Sequence, residues 1–160
     1  PGLIQLVSAS RPDWPDDAGG TVGVVRLDGA GRWRRESPLD VEAVARELEC
    51  PQVRQIDGRW FLIFSALPAF FSEEIRSRYG ERLRMGTYAM VAEGPYGPFR
   101  FEQHTPIVPA DHPDQIYAGQ VLNVGGRVYL VGTVWRDDAP DYLNTPSPLE
   151  RIGNRLEVAS

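Results

Sequence analysis

Apolar and polar positions along this chain fall in short runs broken by glycine, proline and aspartate. No 3.6-residue period is sustained, so the patterning is that of strands and tight turns. Its clearest expression is VRQIDGRWFLIFSA from Val53, which returns as VLNVGGRVYLVGTV from Val121, 68 residues on. Gln52, Val53, Gly58, Arg59 and Leu62 meet Gln120, Val121, Gly126, Arg127 and Leu130. In both copies two apolar, β-rich runs flank Asp57-Gly58 or Gly125-Gly126, and X-Gly pairs so placed favour the primed turns of a two-stranded hairpin. Each copy is therefore a hairpin. A second echo sets GTVGVVRLDGAGRW from Gly20 against GTYAMVAEGPYGPF from Gly86, at an offset of 66. A weaker one sets LIQLVSA from Leu3 against WFLIFSA from Trp60, which makes 3–9 the second strand of a hairpin whose first strand is not in this chain. The repeat unit is about four strands long, the signature of a β-propeller or related array.

Taken in order, the pattern predicts strands at 3–9, 21–27, a short arginine-rich outer strand from Trp33, then 49–56, 60–66, 85–92, 99–102, 117–124, 127–135, 149–152 and 155–158. SEEIRSRYG from Ser72 reads as a short capped helix ending near Gly80. The stretch 37–47 carries Val41, Val44 and Leu48 at helical spacing and reads either as a turn or two of helix or as a connecting loop. Proline- and glycine-rich 11–20, 103–115 and 136–148 are loops. The expected fold is all-β: a single domain over 1–160 forming a partial β-propeller of about two and a half to three four-stranded blades, with units near 1–37, 49–103 and 117–158. Rings of this kind close with about 4 to 8 blades. Either the remaining blades lie outside this chain, or a second copy covers the N-terminal edge. A first residue Pro1, without methionine or signal sequence, reads as a trimmed, processed or fragmentary chain.

Composition narrows the classes. With 160 residues, 42% hydrophobic and 24% charged, the chain is the size of one domain with a substantial core. No apolar run approaches the ~20 residues of a membrane span. A net charge of -5 argues against a nucleic-acid partner, since a phosphate backbone asks for a basic face. One cysteine, Cys50, excludes an internal disulfide. The glycines of GPYGPF and DGAGRW are turn glycines rather than a phosphate-binding loop, and no cofactor is expected.

Chemistry is sought where innermost strands begin, because those residues gather at one mouth of a propeller channel. The repeat places Glu49 and Tyr117 at equivalent starts of innermost strands. A carboxyl group there, ahead of a buried strand, is partly withdrawn from water, which favours its protonated form and suits it to donate a proton. The competing reading is a strand-end glutamate satisfied by an arginine. His104, Asp111 and His112 share a loop but match no tight metal-binding spacing. Asp13, Asp16 and Asp17 read as turn residues before they read as ligands for sugar hydroxyls or calcium. Trp14, Phe70, Phe71 and Tyr79 lie on the same expected face, either stacking on sugar rings or anchoring loops. Cys50, with no histidine nearby in sequence, reads as a small buried residue rather than a nucleophile.

ELECPQV from Glu47, IDGRWFLIFSA, MGTYAMVAEGPYGPF, YAGQVL and GRVYLVGTVW together resemble the later blades of glycoside hydrolase family 32, the β-fructosidases with a five-bladed propeller, and of the related family 43. The resemblance runs over nearly the whole chain, from about residue 3 to 158. Its most specific element is the Glu49-Cys50-Pro51 triplet, whose glutamate is the general acid in that family, so the resemblance assigns that role to Glu49. Tyr117 resembles the tyrosine of the next inner strand, Trp135 the tryptophan ending the strand after it, and both join Trp14 as expected substrate-binding residues. The family's nucleophile, in an asparagine-aspartate-proline setting, and its arginine-aspartate-proline triplet do not occur here. The second would fall just before Pro1. The resemblance thus implies a glycosidase acting on fructosyl, arabinosyl or xylosyl glycosides that is catalytically incomplete in this chain alone. Two alternatives stand beside it: a sugar-binding or assembly module that has kept the fold, and a structural half-propeller that pairs with itself.

Overall fold

The computed structural model describes residues 3–112, 114–135 and 141–159. Within them eleven strands form three antiparallel sheets. The first holds β1 (Ile4–Ser10), β2 (Gly20–Leu27) and β3 (Trp33–Arg35) in that order, and the second β4 (Glu49–Ile56), β5 (Arg59–Ala66) and β6 (Gly86–Ala92). The third runs β7 (Ile116–Val124), β8 (Arg127–Val134), β10 (Ser147–Ile152), β11 (Arg155–Val158), with β9 (Tyr142–Leu143) also on β8. Three sheets leave the array open, as expected of a partial propeller.

The repeated hairpins share their turns. Asp57 and Gly58 have φ of 46° and 80°, Gly125 and Gly126 60° and 81°, positive at both central positions as a type I′ turn demands. Helix α1 (Glu73–Tyr79) is set by its own caps: Ser72 Oγ accepts from the Ile75 N–H at 3.3 Å, Glu73 and Glu74 occupy the first turn, and Gly80 ends it at φ 48°.

Three segments depart from expectation. Residues 99–102 are not a fourth strand. Their backbone is divided between two partners: Arg100 exchanges two hydrogen bonds with Val91, whereas Phe99 bonds Asp40 and Glu42, and the Phe101 N–H goes to Glu42 Oε2. Phe99 and Phe101 are thereby turned into the core. The stretch 37–47 resolves to a non-helical connector, bridged at Val41 to Phe99 and at Ala45 to Phe71. Its apolar spacing reflects one buried side of an irregular segment, with Leu39, Val41, Val44, Ala45 and Leu48 all inside. The loop expected at 136–148 holds β9 and the start of β10; residues 136–140 lie outside the described ones. There Asn144 stands in for a strand: its backbone N–H bonds the Gly132 carbonyl, its Oδ1 takes the Gly132 N–H, and its Nδ2 reaches the Leu130 carbonyl.

Two apolar layers hold the sheets together. Val22 and Val24 meet Leu62, Phe64 and Tyr88 between the first and second sheets, while Phe61, Ile63 and Val91 meet Val121, Leu130 and Val134 between the second and third. β5 feeds both layers from alternate residues, and each such side chain contributes about 1.5–3 kcal/mol when fully buried. β1 has one hydrogen-bonded neighbour, β2, and Leu3 and Ile4 beside its open edge are 62% and 40% exposed.

Candidate functional site

Both inner strands, β4 and β7, begin with the same irregularity. Glu49 pairs with Ser65, yet Gln52 pairs with Ile63; Tyr117 pairs with Thr133, yet Gln120 pairs with Val131. Each strand has gained one residue against its partner, a β-bulge. The inserted turn puts Cys50 at φ 48° and Ala118 at φ 52°, a left-handed conformation that costs a side chain about 1–3 kcal/mol and persists because its surroundings impose it. Strain recurring at the same repeat position swings the residue just ahead of each bulge out of the ladder's alternation. Those residues are Glu49 and Tyr117.

The two side chains meet. The Tyr117 hydroxyl donates to Glu49 Oε2 in a close contact, and the Tyr117 ring lies parallel to that of Trp135, centroids 5.3 Å apart and planes 7° from coplanar. Burial, and after it the Glu49 carboxylate that the hydroxyl serves, push the phenol well above its ordinary range, so Tyr117 remains a proton-bearing donor across working pH. Trp135 is 44% exposed. A carboxyl group thus sits beside a stacked aromatic pair with one indole open to solvent, an arrangement able to hold a ring and deliver a proton next to it.

The relative position of the two strand starts is fixed from beneath. Gln52 Nε2 donates to the Gly119 carbonyl at 2.8 Å and its Oε1 accepts from the Val121 N–H at 3.0 Å. Thr87 Oγ1 donates to the Ile116 carbonyl at 3.0 Å and accepts from the Gly119 N–H at 3.1 Å. A side chain on Gly119 would lie 2.6 Å from Thr87 Oγ1, so the bond requires glycine there. Sequence reasoning missed these supporting residues, although the Gln52–Gln120 match was visible in the repeat.

Other candidates have different surroundings. Trp14 packs against the layer between the first and second sheets, with the Arg11 guanidinium 4.6 Å from its ring centroid, rather than against the Glu49 group. Asp13 pairs with Arg11, and Asp17 Oδ2 accepts from the Glu73 N–H at 2.8 Å at the start of α1. Phe71 is in the core against Tyr88 and Phe101, and Phe70 lies under Arg46. His104 stacks on Tyr79 at 3.7 Å, and His112 Nδ1 accepts from the Asp114 N–H. Among the described residues no group of three or more acidic, histidine or cysteine side chains is placed to hold a metal ion, and no helix is long and apolar enough to cross a membrane. Cys50 is exposed rather than buried. Its surroundings nevertheless remove enough water to raise the thiol's pKa, and the Glu49 charge adds to that.

No known family profile matches the chain, and no curated protein matches its sequence. Solved structures do match. The inulosucrase of Halalkalicoccus jeotgali, solved with kestose bound, superposes with a TM-score of 0.72 at 19% identity, over 98% of this chain and 46% of that one. Bacillus subtilis levansucrase gives 0.61 at 16% identity over 89% and 34%, and a B. megaterium levansucrase mutant 0.60 at 14% over 89% and 34%. The fold is that of the levansucrase and inulosucrase propellers. These enzymes are five-bladed β-propellers, and the likeness is one of fold rather than to family 32 in particular. The chain spans less than half the length of the enzymes it matches.

Proposed function

We propose that this chain carries the acid side of a site that breaks fructosyl glycosides, arabinosyl or xylosyl ones being the neighbouring choices. Glu49 is its general acid, and Tyr117, Trp135 and Trp14 are its substrate-binding residues. The observation behind this reading is the convergence of Glu49 and Tyr117, from the beginnings of two adjacent inner strands, with Trp135, just past the end of β8, in a fold shared with an inulosucrase solved with kestose. Tyr117 occupies Oε2 of Glu49, which leaves Oε1 for the departing glycosidic oxygen. Trp135 offers a face on which a sugar ring stacks, and Trp14 contributes from the loop between β1 and β2. Cleavage with retention also needs a second carboxylate about 5–5.5 Å from the acid, and that group comes from polypeptide outside the described residues. Glu49→Gln in the natural protein, assayed on sucrose, inulin and levan, tests the assignment: turnover should fall by about 10²–10⁴-fold, and unchanged turnover removes it.

A second reading concerns the chain by itself. No nucleophile is identified among the described residues, which favours sugar binding without cleavage. The isolated 160-residue chain should then bind kestose and release no fructose from it, and measurable hydrolysis would contradict this.

A further inference from the structure

Helix α1 has little of its own to hold it. Seven residues are too few to persist by internal hydrogen bonding, and its core-facing side consists of Ile75, buried, and Tyr79, half-buried, four residues apart on one face. The ring that covers Tyr79 is that of His104, centroids 3.7 Å apart and planes 22° from parallel, with Phe101 edge-on to the imidazole at 5.3 Å. The backbone carrying His104 is anchored on both sides. Gln103 donates to the Leu156 carbonyl at 2.8 Å and accepts from its N–H at 2.9 Å, and the Ile107 N–H bonds the Thr87 carbonyl at 2.8 Å. The helix is therefore the partner that yields when the stack fails.

The imidazole is placed to carry no charge. Its Nδ1 is buried and has no hydrogen-bond partner among the described residues, so a proton there would be a donor without an acceptor. The face of Tyr79 attracts a cation, but in a near-parallel stack the imidazole N–H bonds run along that face and find no acceptor in it. Charged groups act on the ring from every segment around it. Arg78 on α1 and Arg82 on the turn Gly80–Arg82 oppose a positive charge, while Glu42 of the connector and Glu102 favour one. Of these two carboxylates, Glu42 already takes the Phe101 N–H. Loss of water, and after it Arg78, hold the imidazole below its ordinary pKa.

We propose that His104 is a proton-sensitive latch on α1. Neutral, it pins the helix to the 103–107 segment; protonated, it leaves the Tyr79 face and the helix loosens. The loosening reaches the approach to Glu49, because the Ser72 N–H bonds the Val44 carbonyl at 2.8 Å and the Arg46 N–H bonds the Phe70 carbonyl at 2.9 Å. These two bonds cross the seam between the start of α1 and the connector that leads into β4. The latch goes beyond the glycosidase reading and stands without it, since none of its residues belongs to the Glu49 group. Because folding lowers this pKa, the latch contributes fully above pH 6.5, the value of a free histidine, and its contribution is lost as pH falls below that. Carboxylates ordinarily titrate at about 4, which leaves the interval from pH 7.5 to 5.5 to the two histidines.

Hydrogen exchange on the full chain, with protection factors taken at both ends of that interval, tests the latch. Protection of the Arg46, Ser72 and Arg76 amides should be about 3–10-fold lower at pH 5.5, tenfold being the most that one proton supplies over the single unit below 6.5. His104→Gln should show the lowered protection at both pH values, and His112→Gln should behave as the parent does. By NMR of the parent, the His104 imidazole, told from that of His112 by the His112→Gln spectrum, should titrate below 6.5. A midpoint at or above 6.5, protection that does not change with pH, or the same fall in His104→Gln overturns the proposal.

Discussion

Glu49 and Tyr117 stand just ahead of the same irregularity in two strands of one design: one extra residue, one left-handed backbone position behind it, one following glutamine in the same register. They differ in the group presented. One start offers a carboxyl group, and the other offers a phenol that burial and that carboxylate hold in its protonated form. Repetition therefore supplies the position, and a single substitution within the repeat supplies the chemistry. The two equivalent side chains meet in the Tyr117–Glu49 hydrogen bond.

The comparison breaks hardest at Glu49. Exchanging only its character, with Glu49→Gln, keeps size and hydrogen bonding but removes the donor proton, and the account expects the 10²–10⁴-fold loss typical of a missing general acid. Removing the open indole comes next. Trp135→Ala should raise KM about tenfold with a smaller change in kcat, since aromatic stacking contributes roughly 0.5–1.5 kcal/mol to a bound ring; equal losses in both parameters would instead mark a structural role. Tyr117→Phe keeps the stack and deletes the donor. Losing one hydrogen bond to a charged partner, about 1.5–3 kcal/mol, should lower kcat roughly tenfold and leave KM in place.

Smaller effects probe the shared backbone. If both bulges are strained alike, Cys50→Gly and Ala118→Gly should each stabilise the fold in urea by about 0.5–1 kcal/mol, the relief of a left-handed side chain less the entropy that glycine loses on folding. A gain at one site only would show that the two starts are not equivalent. Thiol chemistry reports on the same place. Only the thiolate reacts, and desolvation together with Glu49 raises the Cys50 pKa, so its alkylation at pH 8 should be slower than that of an unstructured cysteine peptide. Replacing Glu49 by glutamine removes one of those two influences and should speed it.

Much of this was legible in the sequence because the repeat carries it. The hairpins about Asp57-Gly58 and Gly125-Gly126, the strand starts at Glu49 and Tyr117, and the capped helix after Ser72 all follow from local rules that neighbouring segments do not override. The repeat predicts a strand at 99–102, but the backbone there is shared with the 37–48 connector, a contact between distant segments that no local pattern encodes. The connector's false helical spacing has the same origin. At the site, the bulges were invisible for a related reason: neither Cys50 nor Ala118 is a glycine, so composition gave no sign of a left-handed turn. Trp14 shares only a loop and an expected face with the other candidates, and its described contacts are with Arg11 and the first core layer.

The most direct test of Glu49 as a proton donor compares leaving groups in the natural protein carrying Glu49→Ala. A dinitrophenyl fructoside departs without help from an acid, whereas the fructosyl bond of sucrose does not. The account predicts that the variant keeps most of its activity on the aryl substrate while losing it on sucrose. An equal loss on both would contradict it.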